Sequence, residues 1–348
     1  MKPQFPIVDE DKEYLGELEG IQIKPIFIMG LHRSGTTFLY DSVAQCFPVA
    51  NLDLYHIFYF NRLIKNALNG RESHDRDTLN QYFRSLDITD RKIDKVWVED
   101  TMVEEYGWLL RNHSYAMSIT EDNAQYFELI CKKLHYLHPE AQALLLKNPF
   151  DTDNAQEILK RFPDAKFIYI SREPTYILNS MVNAILTYLT GQQPFLTLLV
   201  DKFKMPTAQP VLMKLIYGLW KTARGIKSLI GETRARNIIV PYVAENVESQ
   251  IENYFLELRK LPAGSYFELT YQRFNEDPEK YLLALQGFLG LSLTQSPQCI
   301  RPQPRKKEID TQIQEYGNQL QQKLAPYYEE ATIRIESQQV QLPMQQSG

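Results

Sequence analysis

The stretch "GLHRSGTTFL", Gly30 to Leu39, decides the reading of the whole chain. Its glycines stand five apart, at Gly30 and Gly35, and two hydroxyl residues, Thr36 and Thr37, follow directly. A nucleotide-hydrolysing phosphate loop reads G-x-x-x-x-G-K-[ST], so Thr36 occupies the slot of its lysine. The positive charge lies earlier, at Arg33. Upstream, "KPIFIMG" (24–30) has the short, apolar, β-branched and aromatic character of a buried parallel strand. Downstream, 36–45 places Phe38, Leu39, Ser42 and Val43 at helical spacing. A glycine loop that feeds a helix presents backbone N–H groups and a positive dipole end to an anion. Ser34, Thr36 and Thr37 add hydroxyl donors, and Arg33 adds a fork suited to oxyanions. Glycine turns also precede helices for structural reasons alone, and here the strand–loop–helix context points to the anion.

The same alternation continues along the chain. "EDNAQYFELICKKLHYLH" (121–138) predicts an amphipathic helix with acids first and Lys132 and Lys133 late. "AQALLLKNP" reads as a second buried strand, and "DTDNAQEILKRFPDA" as a capped helix stopped by Pro163. "KFIYISREP" predicts a third strand over 166–171, with Pro174 in the first turn of the next helix. A further strand falls at 265–271, followed by a helix over 278–288, and helical segments are expected at 211–229 and 246–261. Strands and helices at this spacing make βαβ units around a parallel sheet. The expected fold class is α/β, a P-loop-like three-layer domain with a central parallel sheet and helical insertions. The expected limits are an N-terminal extension over 1–24, one α/β domain over 25–336 and a polar, flexible tail over 337–348.

Composition narrows the function classes. Hydrophobic residues at 44% and charged residues at 23% are ordinary globular values. A formal net charge of -5 argues against broad nucleic-acid binding, though a local basic pocket for a small anion remains open. Three cysteines, Cys46, Cys131 and Cys299, are too few and too scattered for a disulfide framework or a zinc cluster. The acidic, proline-broken N-terminus lacks a signal-peptide core, and no window reaches the roughly 18 apolar residues of a membrane span. The expectation is an unprocessed, cytoplasmic chain.

A second constellation is "YISREPTYILNSM" (169–181). Arg172 stands at the carboxyl end of a predicted strand, where open α/β sheets bind ligands, and Ser180 follows eight residues later. Alone, these are equally a strand-end arginine and a serine on a solvated helix face. Together with the glycine loop they resemble the two signature regions of the sulfotransferase superfamily, in its bacterial-type branch related to tyrosylprotein sulfotransferases. That family's first loop reads G-x-x-[KR]-[ST]-G-T-T, which matches Gly30 through Thr37 with Arg33 in the basic slot. The likeness extends through "LLLKNPF…RFPDAKFIYISREP" and "YFELTYQRFNEDPEKYLLALQGFLGL", covering most of 25–291.

The resemblance implies a donor, 3′-phosphoadenosine 5′-phosphosulfate, with adenosine 3′,5′-bisphosphate as product and no metal. It assigns Arg33, Ser34, Gly35, Thr36 and Thr37 to the phosphosulfate, and Arg172 and Ser180 to the 3′-phosphate. "YQRF" replaces the family's Y-E-D-L, so only Tyr271 carries over, as an adenine contact that core packing would explain as well. Arg305, Lys306 and Lys307 stand where the family often has a basic segment over the cofactor, and a solvated charge run is the other reading. Lys147, at the end of the "ALLLK" strand, is a candidate for the catalytic cleft or an exposed strand-end lysine.

Sulfuryl transfer also needs a base for the acceptor proton. Relatives carry a glutamate about twenty-three residues beyond the loop's basic residue, just after an aromatic. The same count from Arg33 reaches His56, after Tyr55, in "NLDLYHIFYF". Histidine is a competent base near neutrality, and the other reading is a hydrogen-bonded histidine in an aromatic core. Glu104 and Glu105 are the reserve bases, or else a helix start or a solvated turn. His135 and His138 lack the acid or cysteine partners of a metal site and are read as surface residues.

The expected reaction moves a sulfuryl group to the hydroxyl of a small molecule. The aromatic and apolar runs at 51–60 and 185–200 suggest an aromatic, lipid-like, polyketide or carbohydrate acceptor. A P-loop kinase or nucleotide hydrolase is the first rival and lacks its lysine at Thr36; a non-catalytic nucleotide-binding module is the second.

Overall fold

A computed structural model describes residues 5–92, 96–191, 193–202, 221–302 and 309–341. They fall into two compact units, each drawn from three stretches of the chain: Met1–Gln22, Leu52–Pro139 and Val182–Ile239 make the first, and Ile23–Asn51, Glu140–Met181 and Val240–Gly348 the second.

The second unit is built on five strands: β1 (Pro25–Met29), β2 (Val49–Asn51), β3 (Ala143–Lys147), β4 (Lys166–Ser171) and β5 (Tyr266–Thr270). All neighbours pair parallel, in the order β2-β3-β1-β4-β5. Every residue of β1 and β3 is buried, which is why these segments read as unbroken apolar runs rather than alternating ones. The register sets Ile28 beside both Lys147 and Ile168, and Ser171 beside Thr270. Four strands therefore end at one edge of the sheet, and the chain leaves β1 and β4 there into helices Thr36–Cys46 and Pro174–Thr190. β2, only three residues long, carries no periodic signal and was not expected from the sequence.

The long helix Thr311–Gln341 braces the far side of β5. Arg334 donates from Nε to Glu268 Oε2 at 2.8 Å, and Gln338 Oε1 accepts from the Glu268 N–H at 2.9 Å. Burial pushes the Glu268 carboxyl up, and Arg334 pulls against that rise. The helix Glu232–Leu258 begins well before the expected 246 and runs through Pro241, although proline usually breaks a helix interior. Most of the helix expected at 211–229 lies outside the described residues.

The first unit is helical, with Leu54–Tyr59, Leu63–Leu68, Glu72–Ser85, Gly107–Ser114 and Ala124–Leu137 around a core that includes Tyr55, Phe58, Phe83 and Phe127. The N-terminal segment is tied into it by Asp11, whose carboxylate accepts from the N–H groups of Ile64 and Lys65. Asp11 also accepts from Lys133 Nζ at 2.7 Å, with both side chains buried. Lys133 is thus half of a buried ion pair and not a solvated dipole partner. No helix among the described residues is long and apolar enough to cross a membrane.

Candidate functional site

The loop after β1 is shaped by close backbone approach. A Cβ at Gly30 would lie 2.7 Å from the Ile170 carbonyl of β4 and 2.8 Å from Ser34 Oγ, so only glycine fits. The Gly30 N–H donates to Thr152 Oγ1, whose hydroxyl returns the bond to the Gly30 carbonyl. Ser34 is buried and donates both its N–H and its hydroxyl to the Leu31 carbonyl. Its donors build the loop rather than line it.

Gly35 then caps the helix Thr36–Cys46 with φ 102°, a conformation glycine alone adopts freely. The first-turn N–H groups of such a helix have no intrahelical partner and point to its open end. Thr36 and Thr37 begin that turn, and Thr37 Oγ1 accepts from Lys147 Nζ at 3.3 Å. Lys147 is buried and points along the strand edge toward the loop helix, not into solvent.

The decisive geometry joins segments far apart in sequence. Arg33 Nε donates to Ser180 Oγ at 2.8 Å. Arg172 Nη1 donates to the Arg33 carbonyl at 3.1 Å. The Arg172 guanidinium stacks 4.4 Å from the Tyr271 ring centroid, and its own carbonyl accepts from Tyr328 OH at 2.7 Å. Tyr271 sits at the start of the helix Tyr271–Glu276, capped by Thr270, and its ring lies where a Gly35 Cβ would be, 2.2 Å from Cδ2. Arg33, Gly35, Thr37, Lys147, Arg172, Ser180 and Tyr271 thus form one cluster at the carboxyl edge of the sheet. Arg33 holds this position with a left-handed backbone, φ 72°.

Two neighbours escaped the sequence reading. Tyr328 reaches the cluster from the C-terminal helix, with no local pattern to mark it. Asp41 stands four residues after Thr37 on the same helix, and burial pushes its carboxyl up to about 6 against the opposing pull of Lys147. Arg305, with Lys306 and Lys307, lies outside the described residues.

His56, Glu104 and Glu105 belong to the first unit. His56 is 1% exposed in the helix Leu54–Tyr59, with Nδ1 2.7 Å from Asp53 Oδ1. The ring meets that of half-buried His138 edge-on at 5.6 Å. Glu104 is buried, 3.8 Å from Arg91 Nη1, and accepts from the Glu105 N–H; it does not cap the helix Gly107–Ser114, whose N-cap is Tyr106. The aromatic run around His56 packs inward: Tyr55, Phe58 and Tyr59 are buried core residues, and the Tyr59 ring also lines a pocket with Phe5, Ile7 and Arg62.

Residues 25–203, a little over half of the chain, match the sulfotransferase family. The chain belongs to the sulfotransferase family. The match spans the glycine loop, Lys147 and the Arg172–Ser180 segment. Its fold is similar to a sulfotransferase from Mycobacterium avium, at 16% identity and a TM-score of 0.59, over 91% of this chain and 79% of that one. It is also similar to a sulfotransferase from Mycobacterium tuberculosis, at 16% identity and a TM-score of 0.51, over 83% and 73% of the two chains. No curated protein gives a significant match. The protein is a sulfotransferase enzyme with a parallel α/β fold, and the missing loop lysine at Thr36 accords with the family rather than with a damaged nucleotide hydrolase.

Proposed function

We propose that this sulfotransferase moves a sulfuryl group from 3′-phosphoadenosine 5′-phosphosulfate to the hydroxyl of a small-molecule acceptor. The observation that carries the reading is the closure of the two signature segments on each other, through Arg33 Nε to Ser180 Oγ and Arg172 Nη1 to the Arg33 carbonyl. The residues suit such a donor: a glycine cradle that any Cβ would fill, a helix N-terminus, and cations at both ends. When bound, the donor supplies an activated sulfuryl group whose departure leaves adenosine 3′,5′-bisphosphate.

The roles are those the family resemblance implies, and the contacts of the cluster support them. The loop N–H groups, Thr36, Thr37 and Arg33 hold the 5′-phosphosulfate. Arg172 and Ser180 grip the 3′-phosphate, and Ser180 still has its hydroxyl proton to donate while accepting from Arg33. Tyr271, stacked on Arg172, offers an aromatic face to the adenine. Lys147, held by Thr37, neutralises charge that builds on the leaving phosphate oxygen. His56 is the proposed base for the acceptor proton. A hydroxylated aromatic, lipid-like, polyketide or carbohydrate molecule remains the acceptor class.

The test is calorimetric titration with adenosine 3′,5′-bisphosphate, adenosine 5′-phosphate and ATP with magnesium. The bisphosphate should bind at least tenfold tighter than the monophosphate, and Arg172→Ala should erase that difference. Tighter binding of ATP with magnesium would refute the donor assignment in favour of a kinase or hydrolase. Donor binding without transfer to any hydroxylated compound in a broad panel would favour a binding module.

A further inference from the structure

His56 is the centre of a bonded array whose members the sequence reading did not single out. Its Nδ1 lies 2.7 Å from Asp53 Oδ1, and its backbone N–H donates to the same oxygen at 2.9 Å. The other Asp53 oxygen accepts from Arg76 Nη1 at 2.9 Å. Arg76 Nη1 also donates to Asp100 Oδ2 at 2.8 Å, and Arg76 Nε to Glu72 Oε1 at 2.8 Å. Asn80 closes the array: its Nδ2 donates to Asp100 Oδ1 and its Oδ1 accepts from the Asp100 N–H. The Arg76 guanidinium carbon lies over the Tyr55 ring, 4.2 Å from its centroid. Three carboxylates thus surround one arginine, and one of them, Asp53, also faces the imidazole.

We infer that Asp53, held in place by Arg76, is the positioning residue that fixes His56 in the tautomer with its proton on Nδ1 and its lone pair on Nε2. Two acceptors 2.7 Å apart repel, so the short Nδ1–Oδ1 contact is attractive only with a proton between them. The Asp53 N–H, 3.2 Å from the same nitrogen, offers the weaker competing arrangement. That arrangement would set the Nδ1 lone pair against a carboxylate. Burial pushes the Asp53 carboxyl up, but His56 and Arg76 outweigh it and hold the group ionised. At the far end of the ring, Nε2 is buried and has no hydrogen-bond partner among the described residues. A buried nitrogen left unmatched calls for an explanation, and a proton acceptor whose substrate has yet to arrive supplies one.

The inference rests on the reading of His56 as the base and adds the group that orients it. The acceptor O–H bond breaks as the proton moves to Nε2. The acceptor oxygen bonds to sulfur, and the bridging S–O bond breaks, leaving its electron pair on the 5′-phosphate oxygen of adenosine 3′,5′-bisphosphate. Asp53 stays ionised and stabilises the imidazolium through Nδ1–H.

The experiment uses the full chain and Asp53→Asn, which keeps a good helix-capping side chain. Imidazole nitrogen NMR of the resting protein, with His56 assigned by its loss in His56→Ala, should show the proton on Nδ1, and Asp53→Asn should shift it toward Nε2. In steady-state assays Asp53→Asn should lower kcat about 100-fold and leave the donor KM within about twofold. The double variant should be no slower than His56→Ala alone, as groups acting as a unit are non-additive. A proton on Nε2 in the parent protein, or an unchanged kcat in Asp53→Asn beside an inactive His56→Ala, would overturn the positioning role alone. Full turnover in His56→Ala would overturn the base assignment itself, and this inference with it.

Discussion

Arg33 offers a substitution pair in which stability and donor binding should separate. Its backbone is left-handed, φ 72°, and its side chain spans 147 residues of sequence to reach Ser180. A side chain at such a φ costs roughly 1–2 kcal/mol relative to glycine. Glycine returns part of this through a freer unfolded chain, leaving Arg33→Gly about 0.5–1 kcal/mol more stable than Arg33→Ala. Both variants lose the Nε–Ser180 bond, worth about 1.5 kcal/mol as a charged hydrogen bond. The expected stability order is parent, then Gly, then Ala, with the two variants about 1–3 °C apart in thermal midpoint. Donor binding should follow a different order. Loss of the guanidinium removes about 1.5–3 kcal/mol of charged hydrogen bonding, so both variants should bind adenosine 3′,5′-bisphosphate about 10- to 150-fold more weakly, and equally so. Thermal melts and calorimetry on the same preparations read both quantities. An alanine variant as stable as the glycine variant would refute the backbone argument. Binding retained in either would remove Arg33 from the donor site.

Three other outcomes follow from single contacts. Gly35→Ala should cost roughly 1–3 kcal/mol and weaken binding of the bisphosphate at least tenfold, because its Cβ would drive the Tyr271 ring off Arg172; adding Tyr271→Ala should recover part of the stability in denaturant melts. Lys133→Ala should destabilise by about 3–5 kcal/mol by stranding the buried Asp11 carboxylate, and Asp11→Asn with Lys133→Met should recover most of that loss. Asp41 titrates at about 6 when folded, above its unfolded value, so its contribution is fully present below about pH 4 and lost as pH rises through about 6. Asp41→Asn should therefore raise unfolding free energy by about 2 kcal/mol at pH 7, discounted for partial exposure, and leave it unchanged at pH 4. A variant-minus-parent difference that does not vary with pH would refute the assignment.

Much of the second unit was legible because burial on both faces leaves a direct trace in composition. β1, β3 and β4 are mostly apolar runs bounded by Gly30, Asn148 and Arg172, β5 carries one acid, Glu268, and all four were read to within about two residues at each end. The glycine loop was legible for the same reason: only glycine can meet the Ile170 carbonyl at Gly30 or adopt the φ of Gly35. The first unit was less legible. "NLDLYHIFYF" looked like a cleft lining because aromatic residues serve cores and binding sites alike, and only packing tells them apart. Its D-x-x-H spacing, the sequence trace of the Asp53–His56 pair, was present but also reads as an ordinary helix cap.

Local pattern, then, determined the parallel α/β class, the glycine loop and the family, since strand burial, glycine geometry and motif spacing are all short-range properties. Only the tertiary structure decided which side chains meet. The strand order β2-β3-β1-β4-β5 sets β1 beside β4, and that adjacency lets Arg33 reach Ser180 and Arg172 reach the Arg33 carbonyl. Nothing in the residues near Arg33 specifies a partner so far along the chain, because hydrogen bonds act over about 3 Å of space and are indifferent to sequence distance.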